Sequence, residues 1–348
     1  MKSKFSIFCV AASIIAVSFT ACKKDDTKPL ILPSSGSDTS FNLIAASESG
    51  ANASNSAFID FSADNITISG RASWDLAFYC GSDFRVTLNY KTAALTAGLT
   101  KNDLTTVAAA DTIGLPLVLT YSADDFAKVD SFSGNLAYTR IPVQATASDN
   151  KVFIIQRGTG AGVAARPWYK VRVLRNASGG YTLQYARITE TTYQTIDIAK
   201  DADYNFKFVS FDNGVVSAEP KKAEWDIQYS AALYKYPYGA TDIPYIFSDI
   251  VLINYLGGVQ AAEVLTTSYT FDGITLANAQ ALTYSSDRWA ISDKWRTATS
   301  GSSPGVLTDR FYVVKDAAGN YYKLKFISFH NAEGGVRGRP EIKYQLIN

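Results

Sequence analysis

The chain has 348 residues, 33 basic against 32 acidic, and only 19% charged residues in all. That balance gives no support for a nucleic-acid partner. With 47% hydrophobic residues, 21 Tyr and 19 Phe, the composition excludes a disordered chain and points to a folded, β-rich one, long enough for two domains of about 150 residues.

Residues 1–21 read as a signal peptide. Lys2 and Lys4 give a basic start, Phe5 to Phe19 is an apolar run, and the small residues Thr20 and Ala21 precede Cys22. The run is too short and wrongly flanked for a stable membrane span. Phe19-Thr20-Ala21-Cys22 resembles a bacterial lipobox, which implies cleavage before Cys22 and attachment to a membrane through lipid on that cysteine. Cys9 then leaves with the signal, so Cys80 has no partner for an intrachain disulfide and is expected to be a buried, inert thiol. Residues 22–40, with Lys23-Lys24-Asp25-Asp26 and Pro33-Ser34-Ser35-Gly36-Ser37-Asp38, have the composition of a flexible tether.

Beyond the tether the chain repeats itself. Ala57-Phe58-Ile59-Asp60-Phe61 turns at Ala63-Asp64-Asn65 into Ile66-Thr67-Ile68, the pattern of a β-hairpin. It leads into Trp74-Asp75 at the head of a short apolar strand. About 150 residues later, Phe206 to Phe211 turns at Asp212-Asn213-Gly214 into Val215-Val216 and leads into Trp225-Asp226. The order continues in step: Tyr121-Ser122-Ala123-Asp124 with Tyr284-Ser285-Ser286-Asp287, Lys151–Gln156 with Arg310–Lys315, and Trp168–Val173 with Tyr321–Phe326. The Gly-Gly turns at 176–180 and 331–335 also correspond, as do the closing strands at 181–185 and 341–346. Each Trp is expected as a core anchor and each Asp as a partner of a nearby backbone or turn. Helices are minor: Asn102–Ala110 and Gly258–Leu265 are each expected to form one or two turns.

Several motifs fail on context. Gly160-Ala161-Gly162-Val163-Ala164-Ala165 fits a dinucleotide fingerprint, but Pro167 and a strand follow where a helix N-terminus is needed. Gly301-Ser302-Ser303-Pro304-Gly305 fits a nucleophile elbow without the strand before it or the helix after it. The chain has a single histidine and no C-x-x-C, so zinc chemistry finds no ligand set. The strands are too short and irregularly spaced for a transmembrane barrel. Nothing in the sequence argues for an enzyme.

A family resemblance rests on Trp225-Asp226-Ile227, Val251-Leu252-Ile253-Asn254-Tyr255, Gly258-Val259-Gln260-Ala261-Ala262, Asp293-Lys294-Trp295-Arg296 and the run Phe311 to Phe326. In these the chain resembles the HmuY family of surface haem-binding lipoproteins, well over residues 200–348 and more faintly before. Lys24-Asp25-Asp26 after the cysteine is similar to an export signal of surface lipoproteins. The repeat predicts a tandem duplication of one antiparallel β domain of about 150 residues, 41–190 and 191–348, with minor short helices, and the resemblance implies that both are all-β domains of this family. It also implies an outer-membrane, lipid-anchored, surface-exposed protein that takes up haem and hands it to an outer-membrane receptor. No cofactor is required by the residues themselves.

The chain departs from the family in its iron ligands. Paired His or His/Met ligation is impossible, because Met1 is the one methionine and His330 the one histidine. Axial candidates reduce to His330, a tyrosine or Cys80. The longer middle of the second half holds Tyr234, Tyr236 and Tyr238, which alternate and so share a face of one strand, followed by Tyr245. Tyrosine rings suit stacking on a porphyrin or a sugar, and the same pattern suits a half-buried strand. Arg337 and Arg339 are expected either to meet an anionic ligand or to face solvent. Three readings stand: a haem or porphyrin binder, a glycan or peptide binder on the same scaffold, and a structural or adhesive surface protein.

Overall fold

The computed structural model describes residues 32–41, 53–297 and 303–348. The signal peptide, Cys22 and the first part of the tether lie outside the described residues, as do Gly301 and Ser302. Pro33–Asn348 forms one compact unit. Among the described residues no helix is long and apolar enough to cross a membrane.

The fold is antiparallel β throughout. In chain order the strands are β1 (Gly36–Ser40), β2 (Asn55–Asp60), β3 (Asn65–Gly70), β4 (Leu76–Tyr79), β5 (Arg85–Leu88), β6 (Leu95–Gly98), β7 (Ile141–Pro142), β8 (Phe153–Gln156), β9 (Tyr169–Arg175) and β10 (Tyr181–Arg187). They continue as β11 (Gln194–Ile198), β12 (Phe206–Ser210), β13 (Gly214–Val216), β14 (Ile227–Tyr238), β15 (Thr241–Ile253), β16 (Gln260–Leu265), β17 (Arg310–Lys315), β18 (Tyr321–Ser328) and β19 (Glu341–Leu346). One α-helix, α1 (Leu276–Gln280), and several short 3-10 turns complete the described chain.

Four sheets form, ordered β1-β19-β18-β17-β16, β11-β10-β9-β8-β6, β13-β12-β4-β5-β7 and β15-β14-β2-β3. Alternation gives each strand an apolar face, and these faces pack the sheets in pairs. One core joins Leu76, Phe78 and Val209 to Val171, Val173 and Leu183. The other joins Ile59, Ile227 and Val251 to Val314, Leu324 and Ile342.

Hydrogen bonding crosses the midpoint that the repeat suggests at 190–191. The β2–β3 hairpin pairs with β14, not with β4, through Ile59↔Ile227. The β12–β13 hairpin pairs with β4 through Phe208↔Ala77. The Trp-Asp copies fasten this exchange. Asp226 accepts the Phe61 amide and Asp75 the Phe211 amide, both at 2.8 Å. Their partners are the turn residues Phe61 and Phe211, 165 and 136 residues away in sequence. Asn89 and Asn254 close the same corners, donating to the Trp74 and Trp225 carbonyls at 2.7 and 2.9 Å.

Other expectations need correction. Residues 36–40, read as tether, form β1 against β19 from Gly36↔Gln345 to Ser40↔Glu341. An edge strand needs backbone bonds and few apolar side chains, so composition conceals it. Gly258–Leu265 is not helical: a 3-10 turn at Tyr255–Gly257 precedes β16, which buries Ala261, Ala262 and Val264 against β17. The segment 102–110 forms separate 3-10 turns at Leu104–Thr106 and Ala109–Thr112.

Candidate functional site

The candidate tyrosines sit on the longest hairpin of the fold. β14 and β15 pair from Ile227↔Ile253 to Tyr238↔Thr241, with a register shift between Ser230 and Ala232. The two-residue turn begins at Gly239, whose φ of 61° is the positive value that primed hairpin turns demand of their first residue. Strand β2 accompanies β14 only over Ile227–Tyr229, so the far part of the hairpin extends past its sheet. Leu233 and Ile246 anchor one face of that extension against a core holding Val129 and Ile154.

The opposite face is a continuous surface of rings. Tyr234 stacks on Trp289 with centroids 4.0 Å apart and lies 6.1 Å from Phe247. Phe247 meets Tyr245 at 5.2 Å, and Tyr245 meets Tyr236 at 5.4 Å. Tyr121, from the loop before a 3-10 turn, extends the surface at 6.0 Å from Tyr245. Register explains the grouping, because Tyr234↔Tyr245 and Ala232↔Phe247 are cross-strand partners and so share a face. Tyr236, Tyr245 and Tyr121 are 42%, 41% and 48% exposed, and Tyr238 at the tip is 65% exposed. A clustered apolar surface of this kind is a recognised mark of an interaction site. Burial raises the Tyr234 hydroxyl above its ordinary range, which keeps it neutral. The Lys235–Asp242 pair across the hairpin is 3.6 Å long and half exposed, so it contributes little.

Of the sequence-predicted residues, the fold brings Tyr234, Tyr236, Tyr238 and Tyr245 together on this hairpin. His330 lies in another sheet's connection, at the start of the turn Asn331–Glu333 after β18. Its Nδ1 accepts the Ala332 amide at 3.2 Å, which commits that nitrogen to the turn. Arg337 is held internally by Asp249 at 2.8 Å, so it is not available to an anionic ligand. Cys80 is half-buried, and burial pushes its thiol up. Tyr121 and Trp289 had no place in the sequence reading as ligand-facing residues. Tyr121 was visible only as part of the Tyr-Ser-x-Asp repeat, and nothing local marks Trp289 as a neighbour of Tyr234.

Among the described residues no group of three or more His, Cys, Asp or Glu side chains is placed to hold a metal ion. The site therefore offers flat apolar faces with hydroxyl tips, suited to holding a planar ligand by stacking.

Comparison with known proteins gives a limited but specific result. A crystal structure of apo PinO from Porphyromonas gingivitis is similar over 45% of this chain and 86% of its own. Identity there is 14% and the TM-score 0.16, too low to carry an argument. No curated protein matches. A family model described as HmuY protein matches residues 52–344, most of the chain, including both Trp-Asp copies and the tyrosine hairpin. The chain belongs to the HmuY family.

Proposed function

We propose that this protein is a lipid-anchored surface protein of the outer membrane that captures a planar ligand on the aromatic face of the β14–β15 hairpin, haem or another porphyrin first among them. The HmuY family binds haem, and it is a ligand-binding rather than a catalytic family. The observation that carries the reading is the exposed ring series Tyr121, Tyr245 and Tyr236 on Phe247. Stacking would supply the affinity, and a tyrosine oxygen is the ligand type that this face would offer an iron. Lipid on Cys22 supplies the anchor, and a receptor in the same membrane is the partner that such capture serves.

Titration of the protein with haem tests this. A shifted Soret band, lost or weakened at least tenfold in a Tyr236→Ala/Tyr245→Ala double variant and unaffected by His330→Ala, is the expected result. No spectral change at micromolar haem would remove haem as the ligand. The same solvent-facing rings, in a chain without paired His or Met ligands, favour a glycan as the second reading. Saturable sugar binding lost in the same double variant would support it.

A further inference from the structure

The tyrosine hairpin offers a planar ligand one wall. Among the described residues, the ring neighbours of Tyr236 are Tyr245 and Phe247, and those of Tyr245 are Tyr236, Phe247 and Tyr121. Strand register puts Tyr245 and Phe247 on the face of Tyr234, and alternation adds Tyr236. Phe247 is buried under the others, while Tyr236 and Tyr245 stay about two-fifths exposed with these contacts made. A ligand stacked here covers one of its two faces and leaves the other in solvent. Small-molecule sites bury about 70–90% of the ligand, whereas a single wall covers at most about half.

An iron at the centre of the ligand sets the same requirement. It has an axial position on each side of the porphyrin, and a tyrosine of this face fills only the near one. The far side finds no ligand in the same hairpin. Met1 is the one methionine, and the one histidine, His330, lies in the connection after β18.

The edges of the hairpin are closed to a partner strand. The Leu233 amide donates sideways to the Tyr90 carbonyl at 2.9 Å, so the backbone of Leu233 turns away from β15. Alternation turns Lys235 and Pro237 the same way, and their cross-strand partners Pro244 and Asp242 outward on the other edge. Each edge of the extension thus carries a proline where an added strand needs an amide, next to a charged residue. What the extension leaves open is its ring face. The hairpin's charged side chains, Lys235 and Asp242, project from the opposite face, so they do not oppose their own copies when two ring faces meet.

Taking the hairpin as the ligand site, we propose that one planar ligand is held between two copies of this chain, ring face to ring face about a two-fold axis. Each copy supplies one wall and, for haem, one tyrosine oxygen to the iron. Each phenol gives its proton to solvent as its oxygen bonds the metal. A two-fold arrangement of identical walls matches the two like faces of a planar ring.

Spectral titration and sedimentation velocity of the full chain test this, with haem and metal-free protoporphyrin as probes. The Soret change should reach its end point at one haem per two chains, and the sedimenting mass at that ratio should be twice that of the protein alone. Tyr236→Ala/Tyr245→Ala should show neither effect. Thermal unfolding checks that this variant folds, and the ratio and mass of the parent decide the matter if it does not. An end point at one haem per chain, with or without a doubled mass, overturns the shared site and leaves the hairpin as a one-chain binder. A doubled mass that persists in the folded double variant also overturns it. Absence of any spectral change with both probes removes the hairpin as a porphyrin site and the shared site with it.

Discussion

Asp75 and Asp226 hold equivalent corners of the fold, yet the same substitution at the two is expected to act with opposite sign. Each carboxylate accepts a backbone amide at 2.8 Å from the far hairpin. Asp75 also faces Arg157, which donates to both of its oxygens at 2.7 and 2.9 Å while only 3% exposed. Asp226 has no such cation: its charged neighbours are Asp60 and Asp316. Burial first, then those two charges, push its carboxyl from 3.8 up to about 7, against the lowering effect of the Phe61 amide.

The folded protein thus holds this proton more tightly than the unfolded chain does. Stability falls as pH rises from about 4 to about 7, and the full penalty stands above that range. A shift of roughly three units corresponds to at most about 4 kcal/mol. Asp226→Asn keeps an acceptor for the Phe61 amide and removes the titration. It should be close to neutral near pH 4 and stabilising by up to about 4 kcal/mol near pH 8. Asp75→Asn leaves Arg157 with only the half-exposed Asp212, 2.6 Å away, as its partner charge and should cost about 2–3 kcal/mol near pH 8. Urea unfolding of the three proteins across this range measures both. A difference between Asp226→Asn and the parent that does not grow with pH, or a common sign for the two variants near pH 8, would refute the reasoning.

Other expectations follow from single contacts. Gly158 has φ 73°, and a Cβ there would lie 1.9 Å from the Thr92 carbonyl oxygen, so Gly158→Ala should cost more than about 2 kcal/mol in urea unfolding. Gly239→Val meets no such clash, so its cost should be confined to about 1–2 kcal/mol of backbone strain at the hairpin tip, weakening ligand binding more than it lowers the unfolding midpoint. Cys80, with its thiol pushed up by burial, should be alkylated by iodoacetamide more slowly at neutral pH than a free thiol, and urea should abolish the difference.

Local pattern explains which parts of the fold could be read in advance. The hairpins at 57–68 and 206–216, the strands after each Trp-Asp and the Gly-Gly turns all carry their signals within a few residues. Strand β16 was misread because Gly258–Leu265 is short, alanine-containing and ambiguous in period, and its pairing with β17 decides the matter. The tyrosine face was legible as alternation in Tyr234, Tyr236 and Tyr238 with Tyr245 following, and register with β15 then put Tyr245 on the same face and added Phe247. The packing of the two tryptophans was not legible, since Trp74 meets Tyr90 and Phe208 and Trp225 meets Phe58, partners that lie far off in sequence or in other strands.

The sequence by itself determined the β class, the repeated Trp-Asp corners, the loss of paired iron ligands and the family. These depend on composition, alternation and residue identity, all of which are local. Tertiary structure alone decided that each leading hairpin joins the other half's Trp-Asp strand. Two similar hairpins and two similar strands leave both pairings compatible with local pattern, and the choice falls to long-range packing. That choice moved the meaning of the repeat: its aspartates tie the halves to each other.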